Sequence, residues 1–372
     1  MKSRERVLRA LNFEEADKVP VDFGATIVTC LDLNAHKKLK KYLNINDDYD
    51  PIIDYTMGTV EPCEEIMQKL GSDVRRVGLN VIPPEIRDNK YEGGFGIRYK
   101  KAVPHEYFDV YYSPLSYAEV PDKPDLDKLK MPDPDMPELY YGLKQRAQDL
   151  YENSDYALFA DFGVPGFYET SQKVRGYENL SCDLLLNRKF LFGLYDRLLD
   201  LQKRFFNNYL DIMGKYAIAI GYADDLGMQD RPQMSCQTYR DVIKPYHKKI
   251  FSFIHEKSDV KIMLHSCGAI EPLMDDLIDA GVDIFNPLQT RAAGMSPEAL
   301  MQKYRGKAAF WGGFDEQHVL PYGTKEEIEA ETKRMMTVMG RTGYVFGPGH
   351  NIQEDTPPEN IIAMYEAAKV YR

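Results

Sequence analysis

The chain lacks the features of membrane-spanning proteins, disulfide-stabilised proteins and nucleic-acid-binding proteins. Its 372 residues contain no run of about 18 apolar residues, so no spanning helix is expected. The five cysteines are few, odd in number and widely spread, which argues for reduced thiols. A net charge of −11 disfavours nucleic acid and anionic membrane surfaces as partners, because both attract basic patches.

Several catalytic and targeting signatures are also missing. There is no G-x-S-x-G nucleophile elbow, no P-loop, and no G-x-G-x-x-G stretch that follows a strand and opens a helix. Residues 1–6 run directly into a helical pattern and contain no apolar signal core. We therefore expect a cytoplasmic protein that uses neither a nucleotide loop nor a serine nucleophile.

The pattern that is present alternates short apolar runs with longer helical periodicities. This alternation indicates βαβ units around a parallel sheet, and eight strands are the number that closes a barrel. The sequence predicts a (β/α)8 TIM barrel whose strands span 19–24, 74–80, 156–163, 217–224, 261–266, 282–288, 308–313 and 344–349.

The region between the first and third predicted strands is less regular. Residues 32–70 predict two N-terminal helices with an acidic loop at 46–48, and residues 93–112 predict a β-hairpin insertion. The proline-rich stretch 121–137 interleaves charged and apolar residues, which is typical of an ordered connector. We therefore predict one domain that spans residues 1–372.

The active site of such a barrel lies at the carboxyl ends of its strands. In this chain, six consecutive strand ends carry acids, amides, imidazoles or a thiol. Tyr222, near the end of the fourth strand, is a further candidate for the pocket lining. The polar candidates at the strand ends are Asp161, Asp224, Asp225, His265, Cys267, Asn286, Gln289, Asp315, Gln317, His350, Asn351 and Gln353.

The sharpest pattern is His265-x-Cys267. Residues i and i+2 of an extended segment point to the same side, so the imidazole and the thiol can face one metal ion. This ligand pair suits zinc, and a catalytic zinc site has about three protein ligands, for which His350 is the third candidate. By spacing alone, a small buried cysteine beside a core histidine is the more ordinary interpretation.

Three carboxylates are candidates for acid–base chemistry. Asp224 and Asp225 are adjacent, so either carboxylate can raise the pKa of the other, bind a metal or act as a general acid or base. The competing interpretation has Asp225 capping a turn while Asp224 alone points inward. Asp161 is either a third catalytic acid or a cap at the end of its strand.

Together with the site candidates, the wider sequence resembles the uroporphyrinogen decarboxylase superfamily over nearly the whole chain, most strongly from residue 217 onward. The stretches that carry the resemblance are 4–12, 17–21, 224–229, 239–246, 265–268, 277–289, 311–315 and 350–360. The superfamily has two main branches: cofactor-free porphyrinogen decarboxylases, and zinc-dependent methyltransferases that exchange a methyl group with a corrinoid protein.

Two departures help to choose between these branches. The decarboxylases carry a substrate-binding arginine after the first strand, whereas residues 22–28 of this chain contain none. The methyltransferases carry His-x-Cys on the fifth strand and a further cysteine on the eighth, where this chain has His350. One thiolate fewer leaves a more electrophilic zinc, which suits the oxygen or nitrogen of a methyl ether or methylamine.

The resemblance therefore implies a corrinoid-dependent methyltransferase acting on a small methyl donor or acceptor, such as a thiol or a pterin. His265, Cys267 and His350 would hold Zn²⁺, and a partner protein would carry the corrinoid. The implied pocket roles are substrate orientation or proton handling by Asp161, Asp224 or Asp225, and pocket lining by Tyr222, Gln289, Asp315 and Asn351.

Two alternatives stay open at this point. One is a metal-free decarboxylase of a small acid or tetrapyrrole, with Asp224 and Asp225 as its acid–base pair. The other is a non-catalytic barrel that binds a tetrapyrrole or a corrinoid carrier. The resemblance also leaves the choice between a monomer and a homodimer undecided.

Overall fold

A parallel sheet forms the centre of the molecule. The computed structural model describes residues 1–103, 105–118, 121, 123–161 and 163–372. Within these residues, seven parallel strands pair in the order in which they follow one another along the chain. These strands are Val74–Val77, Ala157–Ala160, Ala217–Ala223, Lys261–His265, Ile284–Asn286, Ala309–Trp311 and Tyr344–Val345.

The predicted first strand closes the sheet into a barrel, although only Val21 forms a β-bridge there, with Phe346. On that side, Phe346 N–H donates to Pro20 O at 2.8 Å, and Asp22 N–H donates to Phe346 O at 2.7 Å. On the other side, Asp73 N–H donates to Val21 O at 2.7 Å, and the Asp73 carboxylate accepts from Val21 N–H at 3.0 Å. The predicted TIM barrel is therefore confirmed.

Two separate apolar clusters stabilise this barrel. The inner cluster fills the ring with one or two side chains from each paired strand, among them Phe159, Met263 and Trp311, and Val7 and Leu11 of the first helix join it. The outer cluster lies between the strands and the surrounding helices. Because side chains alternate along a strand, Met263 points inward while Leu264 belongs to the outer cluster.

Helices surround the sheet in the order expected for repeated βα units. Two of the helices begin at capped residues: Ser296 caps the helix after the sixth strand, and Thr324 forms a capping box with Glu327. The helices are Ser3–Leu11, Leu33–Tyr42, Glu64–Leu70, Lys123–Leu126, Pro137–Tyr140, Leu143–Asn153, Phe167–Arg175, Tyr177–Leu186, Arg188–Met213, Cys236–Thr238, Lys244–Lys257, Met274–Ala280, Pro297–Tyr304, Val319–Tyr322, Lys325–Met339 and Pro358–Tyr371, with a π-helical turn at Tyr239–Ile243 and a 3₁₀ turn at Glu271–Leu273.

Two small antiparallel sheets cover the region between the first and third barrel strands. The predicted hairpin insertion is a three-stranded sheet of Lys90–Glu92, Arg98–Lys101 and Phe108–Tyr112. The region 32–70 contains the two predicted helices, but Leu31–Asp32, Ile52–Asp54 and Thr59–Val60 form a second sheet that the helical reading missed. The strands of this second sheet have two or three residues, too few for a clear alternation.

Parts of three predictions lie outside the described residues. Pro104 falls within the predicted hairpin insertion, Phe162 falls within the predicted third strand, and Glu119, Val120 and Asp122 fall in or next to the proline-rich connector. The assignment of all 372 residues to one domain stays a prediction. Among the helices of the described residues, none combines the length and the apolarity needed to cross a bilayer.

The contacts at the barrel closure predict a large effect of removing the Asp73 carboxylate. It accepts from Arg6 Nη1 at 2.6 Å with both side chains buried, as well as from Val21 N–H. We expect Asp73→Ala to lower the free energy of unfolding by about 3–5 kcal/mol, because it breaks a buried ion pair and leaves Nη1 of Arg6 and the N–H of Val21 without their acceptor. The matched Asp155→Ala removes only the exposed pair with Lys2, worth less than about 1 kcal/mol. Urea denaturation measures both, and equal losses would contradict the prediction.

Candidate metal centre

The carboxyl ends of the barrel strands open into a cavity of about 510 Å³. Its lining includes His265, His350 and Asp225 from the barrel, and Asp54, Phe95 and Tyr99 from the insertions. His265 reaches it because it follows the inward-pointing Met263 by two residues.

Three potential metal ligands converge at this end of the barrel. The ligand atoms of His265, Cys267 and His350 all lie within 4.8 Å of one another. Nε2 of His265 lies 3.5 Å from Sγ of Cys267, and the two imidazole centroids are 5.3 Å apart. A tetrahedral zinc with ordinary Zn–N and Zn–S bonds places such an N···S pair about 3.6 Å apart. The arrangement therefore has the spacing of a three-ligand zinc site.

A hydrogen bond from a neighbouring strand orients the His265 ring. Nδ1–H of His265 donates to Oδ1 of Asn286 at 2.6 Å, and Nδ2 of Asn286 donates to Trp311 O at 3.0 Å. Because the second bond determines which way the amide faces, Asn286 selects the tautomer with the proton on Nδ1, in which Nε2 of His265 carries the lone pair that a cation would bind. Histidines that bind metals typically donate their other ring N–H to a partner of this kind.

His350 is oriented in the same way by its neighbour. Its Nδ1 bonds to Oδ1 of Asn351, which also accepts from the Tyr107 hydroxyl at 3.1 Å. Nδ2 of Asn351 donates to Thr59 Oγ1 at 3.2 Å, so the small second sheet holds the amide in place. Asn351, predicted to line the pocket, thus contacts the candidate ligand His350.

The electrostatics of this cluster favour a bound cation. Burial, together with the nearby His265, lowers the pKa of His350 to about 4, so its imidazole is neutral at pH 7. Burial raises the pKa of the Cys267 thiol, as do the carboxyl groups of Asp225 and Glu316. Without a cation the thiol stays protonated, and a divalent metal would supply the charge that a thiolate needs. The donor set and its surroundings therefore fit zinc.

The two adjacent aspartates have roles opposite to those of the competing interpretation, in which Asp225 caps a turn and Asp224 alone points inward. Asp224 is fully buried and caps the helix Phe167–Arg175, accepting from Glu169 N–H at 2.7 Å and from His247 Nε2 at 2.9 Å. Asp225 lines the cavity, and its carboxylate accepts from Cys267 N–H at 2.8 Å. The catalytic candidate of the pair is therefore Asp225, whereas Asp224 is a buried helix cap.

Asp161 is held in an ion pair below the cavity. Its carboxylate accepts from Arg76 Nε and from Ile27 N–H, and the side chain is fully buried. Arg76 itself lines the cavity and also pairs with Glu61 at 3.6 Å. Asp161 is therefore a partner of Arg76 and lies outside the lining. The pattern of polar strand ends did not indicate Arg76, although it follows the inward-pointing Val74 by two residues.

Three further pocket candidates lie outside the cavity lining. Tyr222 is fully buried against the outer helices, and its hydroxyl donates to Gln202. Gln289 accepts from Gly268 N–H at 2.6 Å and so supports the loop that carries Cys267. Asp315 pairs with Arg291 and accepts from Gln317 N–H. All three predictions of a lining position fail for the same reason. A position near a strand end does not determine which way the side chain points.

The structure adds acidic and basic groups that the sequence pattern did not single out. Glu169 and Lys173 line the cavity as an i,i+4 ion pair of 2.5 Å on the helix capped by Asp224. Asp54 comes from the missed second sheet. Glu316 lies beside Asp315, and burial raises its pKa to about 8. The helical spacing of Glu169 and Lys173 was the only sequence signal among these.

A larger depression of about 810 Å³ lies next to the cavity and shares Arg76 with it. Its other arginines are already bonded, Arg75 to Glu64 at 2.8 Å and Arg146 to Asn80 and Gly78. The only group of metal-ligating side chains found among the described residues, however, lies in the smaller cavity. The smaller cavity is therefore the candidate site.

Comparison with known proteins agrees with this architecture. Residues 113–371 match the protein-family model described as uroporphyrinogen decarboxylase (URO-D). A uroporphyrinogen decarboxylase of Geobacter sulfurreducens is 24% identical over 247 residues, which are 65% of this chain and 68% of that protein. A second, from Wigglesworthia glossinidia brevipalpis, is 35% identical over 71 residues, 19% of either chain.

A solved structure extends the likeness to the whole chain. A methyltransferase from Methanosarcina mazei superposes with a TM-score of 0.66 at 16% identity, covering 100% of this chain and 99% of that one. At this identity the superposition shows a common fold.

The hydrogen bond between Asn286 and His265 predicts a measurable contribution to metal affinity. We expect Asn286→Leu to weaken zinc binding about 10–100-fold, because the imidazole loses the partner that orients it. Competition with a chromophoric chelator measures the dissociation constant. Asn12→Ala, at an exposed residue after the first helix, serves as the control. Unchanged affinity in Asn286→Leu would separate this amide from metal binding.

Proposed function

The chain belongs to the uroporphyrinogen decarboxylase family, and we propose that it is a zinc-dependent methyltransferase that moves a methyl group between a small substrate and a corrinoid protein. The observation that carries this proposal is the convergence of His265, Cys267 and His350 at the mouth of the barrel. A reaction that needs no metal does not require the ligand atoms of two imidazoles and a thiol to lie within 4.8 Å of one another.

In this proposal, Nε2 of His265, Nε2 of His350 and Sγ of Cys267 hold the zinc. When bound there, zinc supplies Lewis acidity toward the sulfur, oxygen or nitrogen atom of the substrate. Asn286 and Asn351 keep both imidazoles in the binding orientation throughout turnover. Because only one of the three ligands is a thiolate, the ligands together contribute one negative charge. So small a ligand charge leaves the bound zinc electrophilic.

Asp225 is the residue best placed to handle a proton. It lines the cavity, and the hydrogen bond from Cys267 N–H fixes one of its oxygens next to the proposed ligands. For a thiol acceptor, the carboxylate of Asp225 would take the S–H proton. A methyl-corrinoid carried by the partner protein would supply the methyl group to this sulfur as CH₃⁺, with both electrons of its C–Co bond left on the cobalt.

The cavity also supports a partner that approaches from outside. It opens at the carboxyl ends of the strands, between the barrel and the two small sheets, where a methyl group carried by another protein would have to enter. The partner's corrinoid would meet the substrate at this opening.

A metal-free decarboxylase is the competing hypothesis, and the names of the curated relatives support it. Such an enzyme needs cations for the substrate carboxylates. In the cavity lining as far as it is described, the lysine and arginine side chains are Lys173 and Arg76, and each is ion-paired, with Glu169 and with Asp161. The cavity therefore fits this hypothesis less well than it fits methyl transfer.

Methyl transfer is tested by mixing the zinc-loaded protein with methylcobalamin and thiol, amine, phenol or pterin acceptors while recording the cobalt spectrum. We expect conversion of the methyl-cobalt spectrum with one acceptor class, and loss of at least about 100-fold in rate for Cys267→Ser and His350→Ala. Asp230→Asn, an exposed control, should keep the wild-type rate. A protein that binds no zinc and decarboxylates a tetrapyrrole would refute the proposal.

The zinc affinity should rise with pH. Binding requires the Cys267 thiolate, and the raised pKa of this thiol keeps it protonated at neutral pH, so each bound zinc releases that proton. His350, with a pKa of about 4, is already neutral above pH 5 and adds no proton. Between pH 6 and 8 we expect the dissociation constant to fall about tenfold per pH unit. Chelator competition measures this slope, and a slope that persists in Cys267→Ala would contradict the assignment.

A further inference from the structure

We infer that the substrate of this cavity carries a positively charged group, such as an ammonium, next to the atom that accepts or donates the methyl group. The inference deepens the proposed function and rests on it in taking the 510 Å³ cavity as the substrate site. It is carried by the charges that surround the cavity and by the partners that those charges already have.

The cationic side chains of the cavity are already neutralised. Lys173 is paired with Glu169 at 2.5 Å, and the helix that carries both begins at the buried cap Asp224. Arg76 is paired with Asp161 and lies 3.6 Å from Glu61, so this group carries one negative charge in excess. Neither cation is free to bind an anionic substrate without giving up a carboxylate partner.

Two carboxylates of the lining lack such a partner. Asp54 accepts from Met57 N–H at 2.7 Å, and Asp225 accepts from Cys267 N–H at 2.8 Å. In the part of the chain that the structure describes, no lysine or arginine forms an ion pair with either. The charge of Asp225 would be offset by a zinc–thiolate unit, whereas the cation that acts on Asp54, Lys173, is already paired with Glu169. The loaded cavity therefore keeps an excess of negative charge.

Burial makes this excess costly for the empty cavity. It raises the pKa of Asp54 and of Glu169, which means that their ionised forms are poorly solvated. A bound cation would restore the missing stabilisation, and a bound anion would increase the cost. The direction of the preference thus follows from the sign of the charges.

The remaining walls suit the organic part of a cation. Phe95 and Tyr99 of the insertion line the same cavity, together with the apolar Ile53 and Met57 that flank Asp54. Tyr99 stacks on Tyr91 with ring centroids 4.8 Å apart, which holds its ring in place. Aromatic faces attract ammonium groups, so the two recognition elements act on the same kind of ligand.

Three thiols of similar size and different charge test the inference on the zinc-loaded wild-type protein: 2-mercaptoethylamine, 2-mercaptoethanol and mercaptoacetate. We expect calorimetry at pH 7 to show the cation binding about tenfold or more tightly than the anion, with the neutral thiol between them. Asp54→Asn should reduce that ratio at least about threefold. Asp109→Asn, the same change at an exposed residue of the insertion, should leave it unchanged.

A second variant tests the neutralised cation. Glu169→Gln leaves Lys173 without its ion pair, so mercaptoacetate should gain affinity while 2-mercaptoethylamine loses it. Equal affinities of the three thiols, or tightest binding of mercaptoacetate to the wild type, would overturn the inference and leave the proposed methyl transfer intact. Absence of methyl transfer from methylcobalamin with the charge order preserved would instead refute the proposed function. No binding by any of the three thiols would overturn the inference, whereas the proposed function would still be decided by the methylcobalamin assay with amine, phenol and pterin acceptors.

Discussion

The strict alternation of side chains in a closed ring of strands is the constraint on which the site depends. Two inward side chains at the carboxyl rim lie two residues after an apolar side chain that fills the barrel: His265 follows Met263, and Arg76 follows Val74. Asp73 and the backbone of Val21 complete the ring, so the rim converges on one axis. Polar groups far apart in the sequence are thereby buried together, where their charges and hydrogen bonds must be satisfied.

That burial explains the division of labour among the polar residues. Some groups have all their bonding needs met by the protein, as Asp224 has from a helix amino terminus and His247. Others keep an atom directed at the cavity, as His265 does because Asn286 occupies its Nδ1. Only groups of the second kind can contact a ligand in the cavity. Because the pKa of the Cys267 thiol is raised, a bound cation would stabilise its thiolate.

The insertions make the barrel mouth specific. Thr59 and Tyr107 hold Asn351, which orients His350, so the small sheets reach the candidate metal ligands through two hydrogen-bonded steps. The same insertions bring Asp54, Phe95 and Tyr99 to the cavity wall. The barrel thus supplies the candidate ligands, whereas the insertions supply the surface that distinguishes one substrate from another.

The sequence by itself determined the barrel, seven of its eight strands within a few residues, and the approach of His265, Cys267 and His350, because hydrophobic periodicity and strand ends are local properties. Only the tertiary structure decided three further points. It determined which of Asp224 and Asp225 faces the cavity, placed Tyr222 in the outer layer, and placed Glu316 rather than Asp315 beside the site. Side chains alternate between the two faces of the sheet only within a strand. No local sequence pattern shows at which residue the strand ends and this alternation stops. Asp54, Glu169 and Lys173 reach the cavity through long-range packing of helix and insertion against the barrel, which depends on contacts between segments distant in the chain.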